Sequence, residues 1–132
     1  METIHMDPIP EIYCALAVIV PASALAPGFE DQLDQLIGHP VVPSKSFDDE
    51  LSYTLVKTGN IPSWELNEVL KQMFGMLDGK LEGLKNLIRT YGYSFYVDIA
   101  FYQHGTYPAL YFTGEAMKNI ILLEADIGID PY

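Results

Sequence analysis

Apolar residues recur along the chain with two periods, two and about 3.6, and each stretch shows which element it prefers. From Ile12 to Val20 one side of an extended chain carries Cys14, Leu16, Val18 and Val20, the other Tyr13, Ala15, Ala17 and Ile19. Both sides are apolar, which predicts a central strand, and Pro21 ends it. Pro27-Gly28 precedes a short helix in which Phe29, Leu33, Leu36 and Ile37 return at helical spacing until Gly38 and Pro40. A connector follows from Gly38 to Glu50. Leu51, Tyr53 and Leu55 then alternate with Ser52, Thr54 and Val56, a half-buried strand over 51–58.

Ser63 is placed to cap the longest helical pattern, Leu66, Leu70, Met73, Leu77, Leu81, Leu84 and Ile88, spaced by threes and fours. Gly75, Gly79 and Gly83 interrupt it at intervals of four. Each costs about 1 kcal/mol relative to alanine inside a helix, so the pattern predicts one long helix, kinked or broken near Asp78-Gly79. The other reading of the three glycines is a groove where a second backbone comes close.

The stretch from Tyr93 to Gly114 holds eight of the sixteen aromatic residues and one formal charge, Asp98. It reads as a strand over 93–102, with 107–112 pairing back across a loop that contains His104. Tyr93, Phe95, Val97, Ile99 and Phe101 want the core. Ser94, Tyr96, Asp98, Ala100 and Tyr102 take the other face, joined by Tyr107, Ala109 and Tyr111 from the returning strand, and Asp98 marks that face as one that meets water or a partner. A short helix over 115–123 and a strand over 125–130 complete the chain. If the last strand turns Asp126 and Asp130 the same way, the face is aromatic and acidic together.

The order of elements predicts an α+β fold: a mainly antiparallel sheet of about five strands, helices packed on one face, one of them long and kinked or broken. Residues 1–10, with two prolines and little periodicity, read as a flexible lead-in; 11–132 read as one domain, the size at which one core buries roughly two thirds of the unfolded surface.

Composition adds a sign. Eighteen acids against seven bases give a net charge of −11, and no Lys or Arg precedes Lys45. Such a field repels nucleic-acid phosphates and anionic lipid, and it favours encounter with a basic protein. The longest apolar run, Ile12 to Pro21, is half the length of a membrane-spanning helix and lacks the basic residues that open a signal peptide, so a cytoplasmic protein is expected.

Catalytic patterns are missing. There is no GxSxG, phosphate loop, HExxH or EF-hand loop. His5, His39 and His104 are scattered over three loops, and Cys14, the single cysteine, lies in an apolar strand as a buried thiol would. Asp48, Asp49 and Glu50 form a solvated acidic run rather than a metal cage, because consecutive side chains diverge. No cofactor, metal or catalytic residue is therefore expected; a pairing of Asp98 with His104 is the one arrangement left for an enzyme.

Several segments carry a resemblance: YCALAVIV, WELNEVLKQMFGMLDGKLEGLKNLI, YSFYVDIAFYQ, LYFTGEAMKNI and the final DIGIDPY. Together, from about Tyr13 to Tyr132, the chain resembles the small bacterial proteins of domain of unknown function 4279. The matching positions are Leu81, Leu84 and Leu87, the strand into Tyr102, Phe112-Thr113-Gly114-Glu115, and Ile127, Ile129 and Tyr132. They are mostly packing residues, and the resemblance implies no catalytic residues. Two features depart from it: the connector KSFDDE is acidic where such proteins carry a basic one, and the only tryptophan, Trp64, opens the long helix instead of lying in the second strand.

These features point first to a non-enzymatic binding protein, an immunity protein that holds a basic toxin inactive. Tyr96, Asp98, Tyr102, Tyr107, Tyr111, Asp126 and Asp130 would form its contact face, and Asp48, Asp49 and Glu50 would help to steer the partner. A phage-type inhibitor of a nucleic-acid-binding defence complex shares the same charge logic. A small-molecule or peptide sensor, with a cleft between sheet and broken helix, is the alternative of a different class; a homodimer is also open.

Overall fold

A computed structural model describes residues 9–45, 48–102, 108 and 110–132. The expected lead-in falls mostly, and Tyr107 and His104 wholly, outside them. Five strands, β1 (Glu11–Pro21), β2 (Pro43–Lys45), β3 (Glu50–Pro62), β4 (Ser94–Tyr102) and β5 (Asp126–Pro131), form one sheet in the order β2-β3-β1-β4-β5. Four α-helices accompany them: α1 (Phe29–Ile37), α2 (Leu66–Gly75), α3 (Leu81–Tyr91) and α4 (Gly114–Leu122). The class is α+β, as the order of elements predicts. The sheet is mixed, since β4 and β5 run parallel while the other neighbours are antiparallel.

β1 is the central strand because it alone is apolar on both sides. Its residues Ile12, Cys14, Leu16, Val18 and Val20 are fully buried and join Phe95, Val97, Ile99 and Phe101 of β4 in one hydrophobic cluster with the helices. α2 packs over β1 and β3, α3 over β4, and α4 against α2. Phe29 is the hub where α1 meets the sheet: its ring makes edge contacts with Tyr53, Tyr91 and Tyr93 at centroid separations of 5.7, 5.3 and 4.8 Å.

Opposite β1, strand β3 carries two irregularities. At the first, the β1 amide of Cys14 loses regular ladder geometry and donates instead to the Thr58 hydroxyl at 3.0 Å, so the polar group stays satisfied inside the sheet. The bulges also shift β3's alternation. Leu55 keeps to the core, and Lys57 comes to stand opposite Ala15, away from the helices.

Three expectations are corrected. The pattern over 66–88 is broken near Asp78-Gly79, as expected, but it forms two helices and not one long one, separated by a turn at 76–80 in which Gly79 takes a left-handed φ of 79°. An L-residue is strained there, which is why the periodicity continues while the helix does not. Among the described residues no second backbone approaches the three glycines: a Cβ at Gly75 or Gly79 would meet nothing within 4 Å, and one at Gly83 would meet the Leu36 side chain at 3.2 Å. Ser63 does not cap α2. Its hydroxyl accepts from the Glu65 amide at 3.0 Å in the turn before the helix, and Glu65 holds the cap position.

The aromatic hairpin is the third. β4 lies between β1 and β5, so no place exists beside it for a strand over 107–112, and residues 110–112 are not extended in a ladder. Instead Asn67 of α2 clamps that segment, its amide donating to the Tyr111 carbonyl at 3.1 Å and its carbonyl accepting from the Thr113 amide at 2.9 Å.

Candidate functional site

All four helices lie on one side of the sheet, and no described element covers the other. Strand register defines what that open face displays. Glu11, Tyr13, Ala15, Ala17 and Ile19 of β1 lie beside Tyr102, Ala100, Asp98, Tyr96 and Ser94 of β4 in that order. Asp126, Gly128 and Asp130 of β5 lie beside Tyr96, Asp98 and Ala100. On the far side of β1 stand Asn60, Lys57, Thr54 and Ser52.

Asp98 sits at the middle, between Ala15 and Gly128. The small residues beneath are closed off: Ala15, Ala17 and Ala100 are 3, 6 and 5% exposed although no helix covers them. Neighbouring side chains on the sheet help to cover them. Tyr96 lies over the sheet, for its hydroxyl occupies the space where a Cβ on Gly128 would be. At the margin Tyr102 stacks on Tyr132, with centroids 5.0 Å apart and planes 10° from parallel, and the Tyr132 amide donates to the Phe101 carbonyl at 2.8 Å to extend the edge ladder.

The electrostatics follow from this crowding. Partial burial, then the Asp130 carboxylate, raise the Asp98 carboxyl above the ordinary aspartate value. Tyr96 is raised by burial and by Asp98, Asp130 and Asp126; Tyr13 is raised by burial, Asp98, Tyr102 and Cys14. No described cation pairs with Asp98. Lys57, exposed across β1 from it, forms no ion pair with it.

Of the residues predicted for a contact face, Tyr96, Asp98, Tyr102, Asp126 and Asp130 are brought together here. Tyr111 is not. Its hydroxyl donates to Glu65 at 3.2 Å at the head of α2, on the helical side. Asp48 and Asp49 form the turn before β3, with φ of 64° and 62°, and the Asp49 carbonyl accepts from the Ala22 amide. Glu50 pairs with Pro21, six residues along β1 from Ala15 and so about 20 Å from Asp98. Tyr107 lies outside the described residues. Sequence reasoning missed Tyr13, Lys57 and Tyr132. Tyr13 was legible in the β1 alternation as a polar tip on the face opposite Cys14; Lys57 depends on a bulge and had no signal.

A second concavity lies among the helices. α2 and α4 flank a cleft of about 360 Å³, with Phe74, Leu81 and Ala116 as its apolar residues and Glu68, Lys71, Asp78, Glu115 and Asn119 among its polar ones. Between α3 and β4, the place expected for a cleft between sheet and broken helix, there is a smaller hollow of about 250 Å³. Among the described residues no group of three or more His, Cys, Asp or Glu is gathered for a metal ion, and no helix is long and apolar enough to cross a membrane.

Neither the curated proteins nor the solved structures contain a match to this sequence. A family model described as a domain of unknown function, DUF4279, matches residues 29–132, which takes in every element after β1. The chain therefore belongs to the DUF4279 family.

Proposed function

We propose that this chain is a non-enzymatic, acidic protein-binding protein of the bacterial cytoplasm, and most concretely an immunity protein that inhibits a basic toxin by direct contact. The observation that carries this is the sheet face that no described element covers, where tyrosines and aspartates from three strands surround Asp98. Rigid tyrosine rings offer contact area at small entropic cost, and they are enriched where binding energy concentrates. A net charge of −11 speeds the approach of a basic partner. A partner that normally binds nucleic acid has the complementary charge, which makes a toxin nuclease or a nucleic-acid-binding defence complex the fitting target.

The test is capture of the partner by tagged protein at low and high salt, with Tyr96→Ala/Tyr102→Ala and the helix-side variant Lys71→Ala in parallel. One basic protein recovered in stoichiometric amount by the wild type and by Lys71→Ala, and lost with the tyrosine variant, is the expected result. Equal recovery by all three would remove the sheet face from the reading.

A second reading rests on the cleft between α2 and α4, whose volume is within the range of small-molecule sites. A small ligand carried through purification and released on Phe74→Ala, with no protein captured at any salt, would favour a sensor instead.

A further inference from the structure

The docking face has a centre, and its chemistry is specific enough to name what it receives. Asp98 and Asp130 belong to adjacent parallel strands, in register with Gly128 and Ala100 respectively, so they are diagonal neighbours on one face. At that separation, about 7 to 8 Å between Cβ atoms, a planar group with several fixed donors reaches both carboxylates with its donors already aligned, whereas an ammonium must order three rotatable donors on a flexible stem to do the same. Beside the pair the Tyr96 ring reaches from β4 to Gly128, passing between Asp98 and Asp126, as the overlap of its hydroxyl with any Cβ on Gly128 requires. A ring lying on a sheet turns a face outward, and that face attracts a flat, weakly hydrated cation.

We propose that this centre receives one arginine side chain of the protein partner, its guanidinium forked between Asp98 and Asp130 and lying on the ring of Tyr96. The assignment rests on the docking reading above and names the anchor within it. The raised carboxyl of Asp98 is consistent with a group short of a counter-ion. The charged and titratable groups around it are Asp126, Asp130, Tyr13, Tyr96, Tyr102 and, across β1, Lys57. Lys57 is the one described cation placed to compete, and it is exposed and unpaired with Asp98.

The probes are N-acetyl-arginine methylamide and N-acetyl-lysine methylamide, titrated into the full chain at low ionic strength while the Asp98 and Asp130 carboxyl carbons and the Tyr96 ring are followed by NMR. The arginine probe should move all three sets along one saturable curve, with the lysine probe about fivefold or more weaker because it lacks the fork. Asp98→Asn should abolish the saturable response, and Asp48→Asn, about 20 Å away, should leave it unchanged. No saturable shift, equal response to both probes, or a response only in Lys57→Ala would each overturn the assignment. The two readings fail separately. A silent arginine probe with partner capture still lost in Tyr96→Ala/Tyr102→Ala removes the anchor and keeps the face; a responsive probe with capture untouched by Tyr96→Ala/Tyr102→Ala removes the face as the docking site.

Discussion

The hydroxyl of Tyr96 fills the space directly above Gly128, so the absence of a side chain on β5 is what allows a ring from β4 to lie across the strand boundary. Gly128→Ala should therefore lift that ring while leaving the fold intact, since the obstructing atoms are the far end of a rotatable side chain. A loss of about 1 kcal/mol in urea unfolding is expected, the low end for overpacking. The Tyr96 ring resonances should shift strongly and those of Tyr53, buried on the other face, should not. Unmoved Tyr96 resonances would show that the ring does not rest on Gly128.

Asp98 sets a pH dependence whose sign is fixed by its surroundings. Burial and Asp130 raise its carboxyl in the folded chain, so the folded state binds the proton more tightly than the unfolded state. Its favourable share of stability is complete below the unfolded value, about 3.9, and is lost as pH rises through the raised folded value. Asp98→Asn should match the wild type in acid and become the more stable of the two above that window, as followed by urea midpoints at a series of pH values. A variant less stable than wild type at neutral pH would mean that the carboxylate has a favourable partner. Should the arginine anchor hold, the same substitution stabilises the free protein and weakens its complex.

The turn between α2 and α3 separates two glycines of similar sequence context. Gly75 ends α2 without a positive φ and with open space at its Cβ, so Gly75→Ala should stabilise by about 0.5 to 1 kcal/mol. Gly79 has a φ of 79°, and Gly79→Ala should destabilise by about 1 to 2 kcal/mol. Thermal unfolding of the two variants side by side checks the contrast. Equal shifts in the same direction would place both residues in one continuous helix.

Much of this architecture was readable residue by residue. Alternation in Phe95, Val97, Ile99 and Phe101 against Tyr96, Asp98 and Tyr102 separated the two faces of β4 correctly, because burial on one side imposes a period of two. Alternation does not say which strand lies alongside. Neighbouring aromatics after Tyr102 suggested a hairpin, yet β4 pairs with residues far behind it and far ahead of it, and Tyr111 is held by α2 through Asn67 and Glu65. Three-residue β2 was invisible inside a proline-bearing connector, its extent being set by the partner strand and not by any pattern of its own. Helical spacing ran unbroken from Leu66 to Ile88 because both helices pack on the same sheet, and only the backbone angle at Gly79 divides them. Lys57 reached the open face through a bulge, which moves the side chains after it to the opposite side until the other irregularity restores the alternation at Asn60.

The position of β1 has a consequence during synthesis. Its two partners are β3, ending at Pro62, and β4, ending at Tyr102, so a nine-residue segment apolar on both sides is made long before either flank exists. At ribosomal speeds of roughly 5 to 20 residues per second, the wait for β4 lasts about 4 to 16 seconds. Throughout that interval IYCALAVIV is a β-prone stretch without a charge, the kind of segment that chaperones shield and that pairs wrongly when they do not.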